Sequence, residues 1–254
     1  MIGLQTIAVA FAMFSALPVP QFAWKEEDMR YTLCFFPWVG AVIGLCFLLW
    51  NRFAGVYGIP STARAAVGAV LPLAISGGFH ADGFMDTMDA LHSYRDRERK
   101  LEILKDSHIG AFAAIMLALY YMIDIAAISE IHTQKAVSAL AAVFFLARCF
   151  SGIAVMTLQP AKKEGLLYTF ASSAQKVRVK AALYFQTVLC VVLMLLVSGW
   201  YGAAAIGAVL LSFFYFKKKS YKELGGITGD TAGFFVTVCE AAAAAAVAVA
   251  GYFL

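Results

Sequence analysis

Asp82, Asp86 and Asp89 stand at i, i+4 and i+7 in the run Asp82-Gly83-Phe84-Met85-Asp86-Thr87-Met88-Asp89. At about 100° per residue, a helix gathers these three side chains into an arc of roughly 60°. Three carboxylates on one stripe repel one another, and an ordinary structural helix gains nothing from them. A hard cation neutralises such a stripe. Mg²⁺ or Mn²⁺ prefers carboxylate oxygens and commonly completes its shell with substrate phosphates. The chemistry indicated is metal-assisted attack on a phosphate.

Other residues of the chemically competent kind surround the stripe. Gly77 and Gly78 lead into it and permit backbone angles and close approaches that other residues resist. The same pair also reads as a helix end, with Asp82 capping the next helix. His80, beside three carboxylates, is a candidate general base or phosphate contact, although a lone interfacial histidine is more often simply hydrogen-bonded. Lys105 and Asp106 follow the charge run Arg95–Asp106, with Ser107 next to them. Lysine there neutralises phosphate, and Asp106 is a further metal ligand. Arg148 sits in the middle of an apolar run, where an ionisable group needs a partner or a watery cavity. Asp124 and Glu240, also within apolar runs, are its candidate partners. Asp230 closes a glycine-dense loop, Gly225–Gly229, of the kind that brings backbone amides to an anion.

The elements that must position these groups are membrane helices. Hydrophobic residues make up 62% of the 254 residues and charged residues 14%, with a mean hydropathy of +0.77. Such a balance excludes an ordinary soluble domain and indicates a polytopic protein in a lipid bilayer. A span needs about 20 apolar residues, or about 17 at minimum. Eight candidates meet that requirement: Ile2–Pro18, Tyr31–Trp50, Ala63–Phe79, Ile109–Ile128, Ala136–Leu158, Ala181–Ser198, Trp200–Phe216 and Ala232–Leu254. The fold expected is an all-α bundle of about eight spans in one domain covering 1–254. The segment Arg95–Asp106 adds a cytoplasmic amphipathic helix.

Sixteen of the 20 basic residues fall in alternate loops, beginning with Lys25 and Arg30 and ending with Lys217–Lys222. The positive-inside rule puts those loops in the cytoplasm and both termini outside. The acidic stripe, the charge run and the Gly225–Asp230 loop then share the cytoplasmic side. The N-terminus lacks a basic leader and a small-residue cleavage site, so it reads as a retained span. The five cysteines (Cys34, Cys46, Cys149, Cys190, Cys239) form no CxxC pair, which argues against a zinc site or a disulfide framework.

Four blocks in this order resemble the cobalamin-5′-phosphate synthase family, also called adenosylcobinamide-GDP ribazoletransferase: GGFHADGFMDTMDAL, RERKLEILKDSHIGAF, LARCFSG and GGITGDTAGFFVTVCE. Leu17-Pro18-Val19-Pro20 and Phe36-Pro37-Trp38-Val39-Gly40 extend the likeness over nearly the whole chain. The resemblance implies a Mg²⁺-dependent enzyme of the inner membrane. It would join adenosylcobinamide-GDP to α-ribazole or α-ribazole 5′-phosphate and release GMP, completing the nucleotide loop of cobalamin. Together, motif and chemistry place Asp82, Asp86, Asp106 and Asp230 as metal ligands. His80, Asp89, Lys105 and Arg148 become catalytic candidates, and Gly77, Gly78 and Gly229 substrate contacts. The sequence departs from the family's habit at Ala81, Met85, Met88 and His108, without loss of a carboxylate. No nucleic-acid partner is expected, and a homo-oligomer is left open.

Two other readings compete. A CDP-alcohol phosphotransferase shares the chemistry, but Met85-Asp86 stands where that motif needs Ala-Arg. A transporter would line a pathway with Arg148, Asp124 and Glu240, yet the acidic block has no repeat in the second half.

Overall fold

The computed structural model describes residues 4–20, 29–106 and 108–253. Lys25 and Ser107, singled out above, lie outside the described residues. The described chain is helical throughout its regular elements, as the composition requires, since a backbone in lipid must satisfy its hydrogen bonds within each segment. The helices are α1 Leu4–Phe14, α2 Phe36–Val56, α3 Ser61–Ser76, α4 Phe79–His92, α5 Arg97–Ile103, α6 Ala111–Ser129, α7 Gln134–Thr157, α8 Leu166–Ser173, α9 Lys176–Ser198, α10 Trp200–Leu224 and α11 Gly229–Gly251. A 3₁₀ turn, Thr32–Cys34, runs directly into α2.

Among the described residues six helices are long and apolar enough to cross a membrane, or seven when α3 and α4 count together, against the eight read from the sequence. Of those eight, the first is represented among the described residues by the eleven residues of α1, about 16 Å at 1.5 Å per residue. The third stops at Ser76, because Gly77 and Gly78 both take left-handed angles, φ +70° and +83°. The chain then turns by 96° into α4. The acidic stripe therefore lies on the second limb of a helix pair bent at Gly77–Gly78. The tight pair α9–α10 forms as expected, joined through Gly199 at φ +55°.

The core is built on α7 and α11. Gly40 and Gly44 of α2 face the backbone of α7 at Phe144 and Ala141 so closely that a β-carbon at Gly40 would meet the Phe144 carbonyl oxygen at 2.1 Å. α9, α10 and α11 cover the other sides of α7. By contrast, α6 and α9 present Met122, Phe185, Val188 and Leu196 outward. A continuous apolar exterior of this kind suits lipid and not water.

The basic connections converge at one end. Ala161 N–H donates to the Ile227 carbonyl at 2.8 Å and Ile227 N–H to the Gln159 carbonyl at 2.9 Å. Lys162 donates to the Leu101 carbonyl. Lys100, almost fully buried, pairs with Glu223 and ties α5 to α10. Asp96 caps α5 by accepting from the Arg99 amide, so the charge run forms a short helix docked on the bundle.

Candidate active site

Two glycines set the site. A β-carbon at Gly83 would meet the Asp230 backbone oxygen at 2.8 Å, and one at Gly233 the His80 carbonyl at 3.2 Å. Only with hydrogen at both positions can α4 and α11 close to this distance. Thr237 locks the contact by donating its hydroxyl to the His80 carbonyl at 3.1 Å. α11 begins at a capping box: the Thr228 hydroxyl accepts from Thr231 N–H, and the Thr231 side chain accepts from Thr228 N–H. Asp230 is therefore fixed in the first turn, and the Thr228 hydroxyl also lies 3.3 Å from its carboxylate.

The result is a cavity of about 490 Å³ between α4, α11 and the loops at the basic end. Asp82, Asp230, Lys105, Lys162, Glu164, Thr228 and Gly229 surround its polar part, while His80 and Ser151 lie on its wall. Lys105 is paired with Glu164, both largely exposed. That hydrogen bond from Lys105 holds the Glu164 carboxyl below its usual range. Burial, followed by the charge of Lys105, lowers the Lys162 ammonium below an ordinary lysine.

Of the residues singled out in the sequence, Asp82, Asp230, Lys105, His80 and Gly229 line this cavity. Asp86 lies one turn along α4, in the electrostatic field of Asp82, Asp230 and Asp89. Asp89 is engaged elsewhere: its carboxylate accepts from Gly110 N–H at 2.6 Å and Ala113 N–H at 2.8 Å, capping the start of α6. Asp106 points into solvent and pairs with His108, whose hydrogen bond lowers the Asp106 carboxyl. Gly77 and Gly78 make the bend. Arg148 is fully buried and bound to Glu240 at 2.7 Å and to the Phe144 carbonyl at 2.7 Å. Glu240, and not Asp124, is its partner among the two that the sequence offered. A small cavity of about 20 Å³ beside Arg148 is shared by His80, Tyr120, Thr237 and Glu240.

Lys162 was legible in the sequence only as a topological charge. Nothing in the sequence marks Phe14 or Phe170, and Phe36 stands out only within the block Phe36-Pro37-Trp38-Val39-Gly40, yet all three line the cavity.

The donor set suits a hard cation. The carboxylates of Asp82, Asp86 and Asp230 lie near enough to repel one another. Among the described residues no three Asp, Glu, His or Cys side chains form a self-contained metal cage. Mg²⁺ fits that situation, because it is commonly held by one or two carboxylates together with substrate phosphates.

The cobalamin-5-phosphate synthase family profile matches residues 6–248. An adenosylcobinamide-GDP ribazoletransferase of Lachnoclostridium phytofermentans is 41% identical over 247 residues, covering 97% of this chain and 94% of that protein. Proteins of the same name from Citrobacter koseri and Clostridium botulinum are 32% and 30% identical, covering 90% and 92% of this chain and 93% of each relative. No solved structure matches. With a profile spanning almost the full length and relatives aligned end to end, the chain belongs to the cobalamin-5-phosphate synthase family.

Proposed function

We propose that this protein joins adenosylcobinamide-GDP to α-ribazole, or to its 5′-phosphate, and releases GMP. The observation that carries the reading is the convergence of Asp82 and Asp230 with Lys105 and Lys162 on one cavity. Membership of the family supplies the substrates. The ribazole hydroxyl oxygen bonds to the phosphorus attached to the cobinamide side chain. The bond from that phosphorus to the bridging oxygen breaks, GMP departs with that oxygen, and the hydroxyl proton passes to a base.

In this scheme carboxylates of Asp82, Asp86 and Asp230 would hold Mg²⁺, one or two of them at a time together with the substrate's phosphates. When bound, the ion supplies charge neutralisation at the diphosphate. Lys105 and Lys162 bind the phosphate oxygens and stabilise the negative charge that grows on the departing GMP. The first turn of α11, beginning at Gly229, adds dipolar attraction. His80 receives or orients the hydroxyl proton, since its ring lines the cavity and both ring nitrogens lack a partner among the described residues. Asp89 is assigned to capping α6, Asp106 to the exposed loop, and Arg148 to the ion pair that holds α7 to α11.

The cavity opens among the basic connections. The positive-inside rule puts that end in the cytoplasm, within the cell's inner membrane, with the C-terminus on the opposite side. Counting Ile2–Pro18 as a span, the same rule puts the N-terminus on that opposite side too. Purified protein in detergent tests the reading directly. Wild type releases GMP from adenosylcobinamide-GDP only when ribazole and Mg²⁺ are both present, and Asp82→Asn loses about two orders of magnitude or more of that rate. Full Mg²⁺-dependent turnover by Asp82→Asn contradicts the assignment.

A further inference from the structure

Inward of its polar mouth the cavity becomes a chamber of rings. Phe14 and Phe36 stand 4.6 Å apart between centroids, Phe14 and Phe170 5.4 Å, and Phe36 and His80 5.6 Å. These form one continuous file that starts at His80. Its members come from four separate elements, α1, α2, α4 and α8. Leu33 and Val155 close the sides. His80 is only 6% exposed, and neither ring nitrogen meets a protein partner among the described residues. Both nitrogens are shielded from the open cavity, so a ligand atom reaches one only after a small turn of the ring; a buried imidazole without hydrogen bonds is costly, which favours that turn.

We propose that this chamber is the subsite for the acceptor's base. The flat, weakly polar benzimidazole of ribazole stacks among Phe14, Phe36 and Phe170, and His80 hydrogen-bonds the ligand where the chamber meets the mouth. The inference rests on the ribazole transfer proposed above and specifies where the acceptor sits. The corrin carries a rim of amide side chains that this ring-lined wall would leave unpaired, whereas a nucleoside fits a cavity of this class. Hydrogen-bonding capacity separates the two remaining ring systems. Guanine carries donors and acceptors along its edges. Away from the mouth, the chamber offers only the His80 and Ser151 side chains among the described residues. Guanine there would bury unpaired polar groups, while benzimidazole has few to satisfy. With the base inward, the ribose faces Asp82, Asp230 and Lys105. GMP can then leave through the mouth without displacing the product's base.

Competition on the wild-type chain and one variant test this. In detergent, without corrinoid, the protein binds α-ribazole, read by the base's own fluorescence. The expected result is that free dimethylbenzimidazole competes with ribazole and GMP does not. Competition by GMP with none from dimethylbenzimidazole overturns the assignment. In turnover, Phe170→Leu raises the KM for ribazole about tenfold and leaves the KM for adenosylcobinamide-GDP within about twofold. A rise confined to the corrinoid KM, or no change in either, also overturns it. Wild type that binds ribazole but releases no GMP contradicts the proposed reaction while leaving the subsite standing.

Discussion

Charged residues occupy two regions of this bundle on opposite terms. Inside, Arg148 and Glu240 bind each other at 2.7 Å and are almost wholly removed from solvent. At the cavity stand Asp82 and Asp230, with Asp86 one turn along α4; none of the three is in an ion pair among the described residues, and the lysines stand around the rim. A charge placed for stability is matched within the protein. At the cavity the aspartates are left for a ligand to match, while Lys105 keeps Glu164 beside it. Residue type does not distinguish the two regions, because both hold carboxylates beside basic groups. Pairing of the aspartates does.

The largest effect expected is at the cavity. Asp82→Asn and Asp230→Asn each lower the GMP-release rate by about two orders of magnitude or more, with thermal unfolding in detergent nearly unchanged. Removing like-charge repulsion does not weaken the fold. The interior gives the opposite split. Arg148→Met leaves Glu240 buried and uncompensated, at a cost of about 3–5 kcal/mol. It appears as a lower unfolding temperature, with activity per folded molecule largely kept. The double change Arg148→Met with Glu240→Leu recovers most of that stability, because a well-packed apolar pair replaces a desolvated ionic one. Loss of turnover without loss of stability in Arg148→Met would move Arg148 from the interior class to the catalytic one.

Lys162→Ala comes next, raising the KM for the activated corrinoid about tenfold with a smaller effect on kcat, in steady-state assays of GMP release. The smallest effects separate the stripe itself. Asp89→Asn costs about 1 kcal/mol through the weakened cap of α6 and leaves the Mg²⁺ requirement unchanged. A shifted Mg²⁺ requirement would return Asp89 to the metal site.

Much of this plan is legible in the amino-acid sequence. The 3.6-residue period puts the three aspartates on one face of α4, and the alternating loop charges gather the motif blocks at one end. What escapes is set by tertiary contact. Nothing near Asp89 announces that Gly110 and Ala113, more than twenty residues on, will take its oxygens. The apolar run Ala63–Phe79 reads as one span because hydropathy does not register the left-handed angles of Gly77 and Gly78. Pairing Arg148 with Glu240 across 92 positions needs the α7–α11 packing, which composition does not encode. Lys162 reads as a topological anchor until the bridge between Gln159–Ala161 and Ile227 brings it to the cavity. The aromatic chamber is assembled from four elements and leaves no local trace.

The most direct measurement is the Mg²⁺ dependence of GMP release by Asp82→Asn beside Asp106→Asn. Both remove one carboxylate from the basic end of the molecule, one at the cavity and one in the exposed loop. The expected result is that Asp82→Asn needs far more Mg²⁺ for what little turnover remains, while Asp106→Asn follows the wild-type curve. The reverse pattern, with Asp106→Asn shifted and Asp82→Asn unaffected, would contradict the placement of the metal at the cavity.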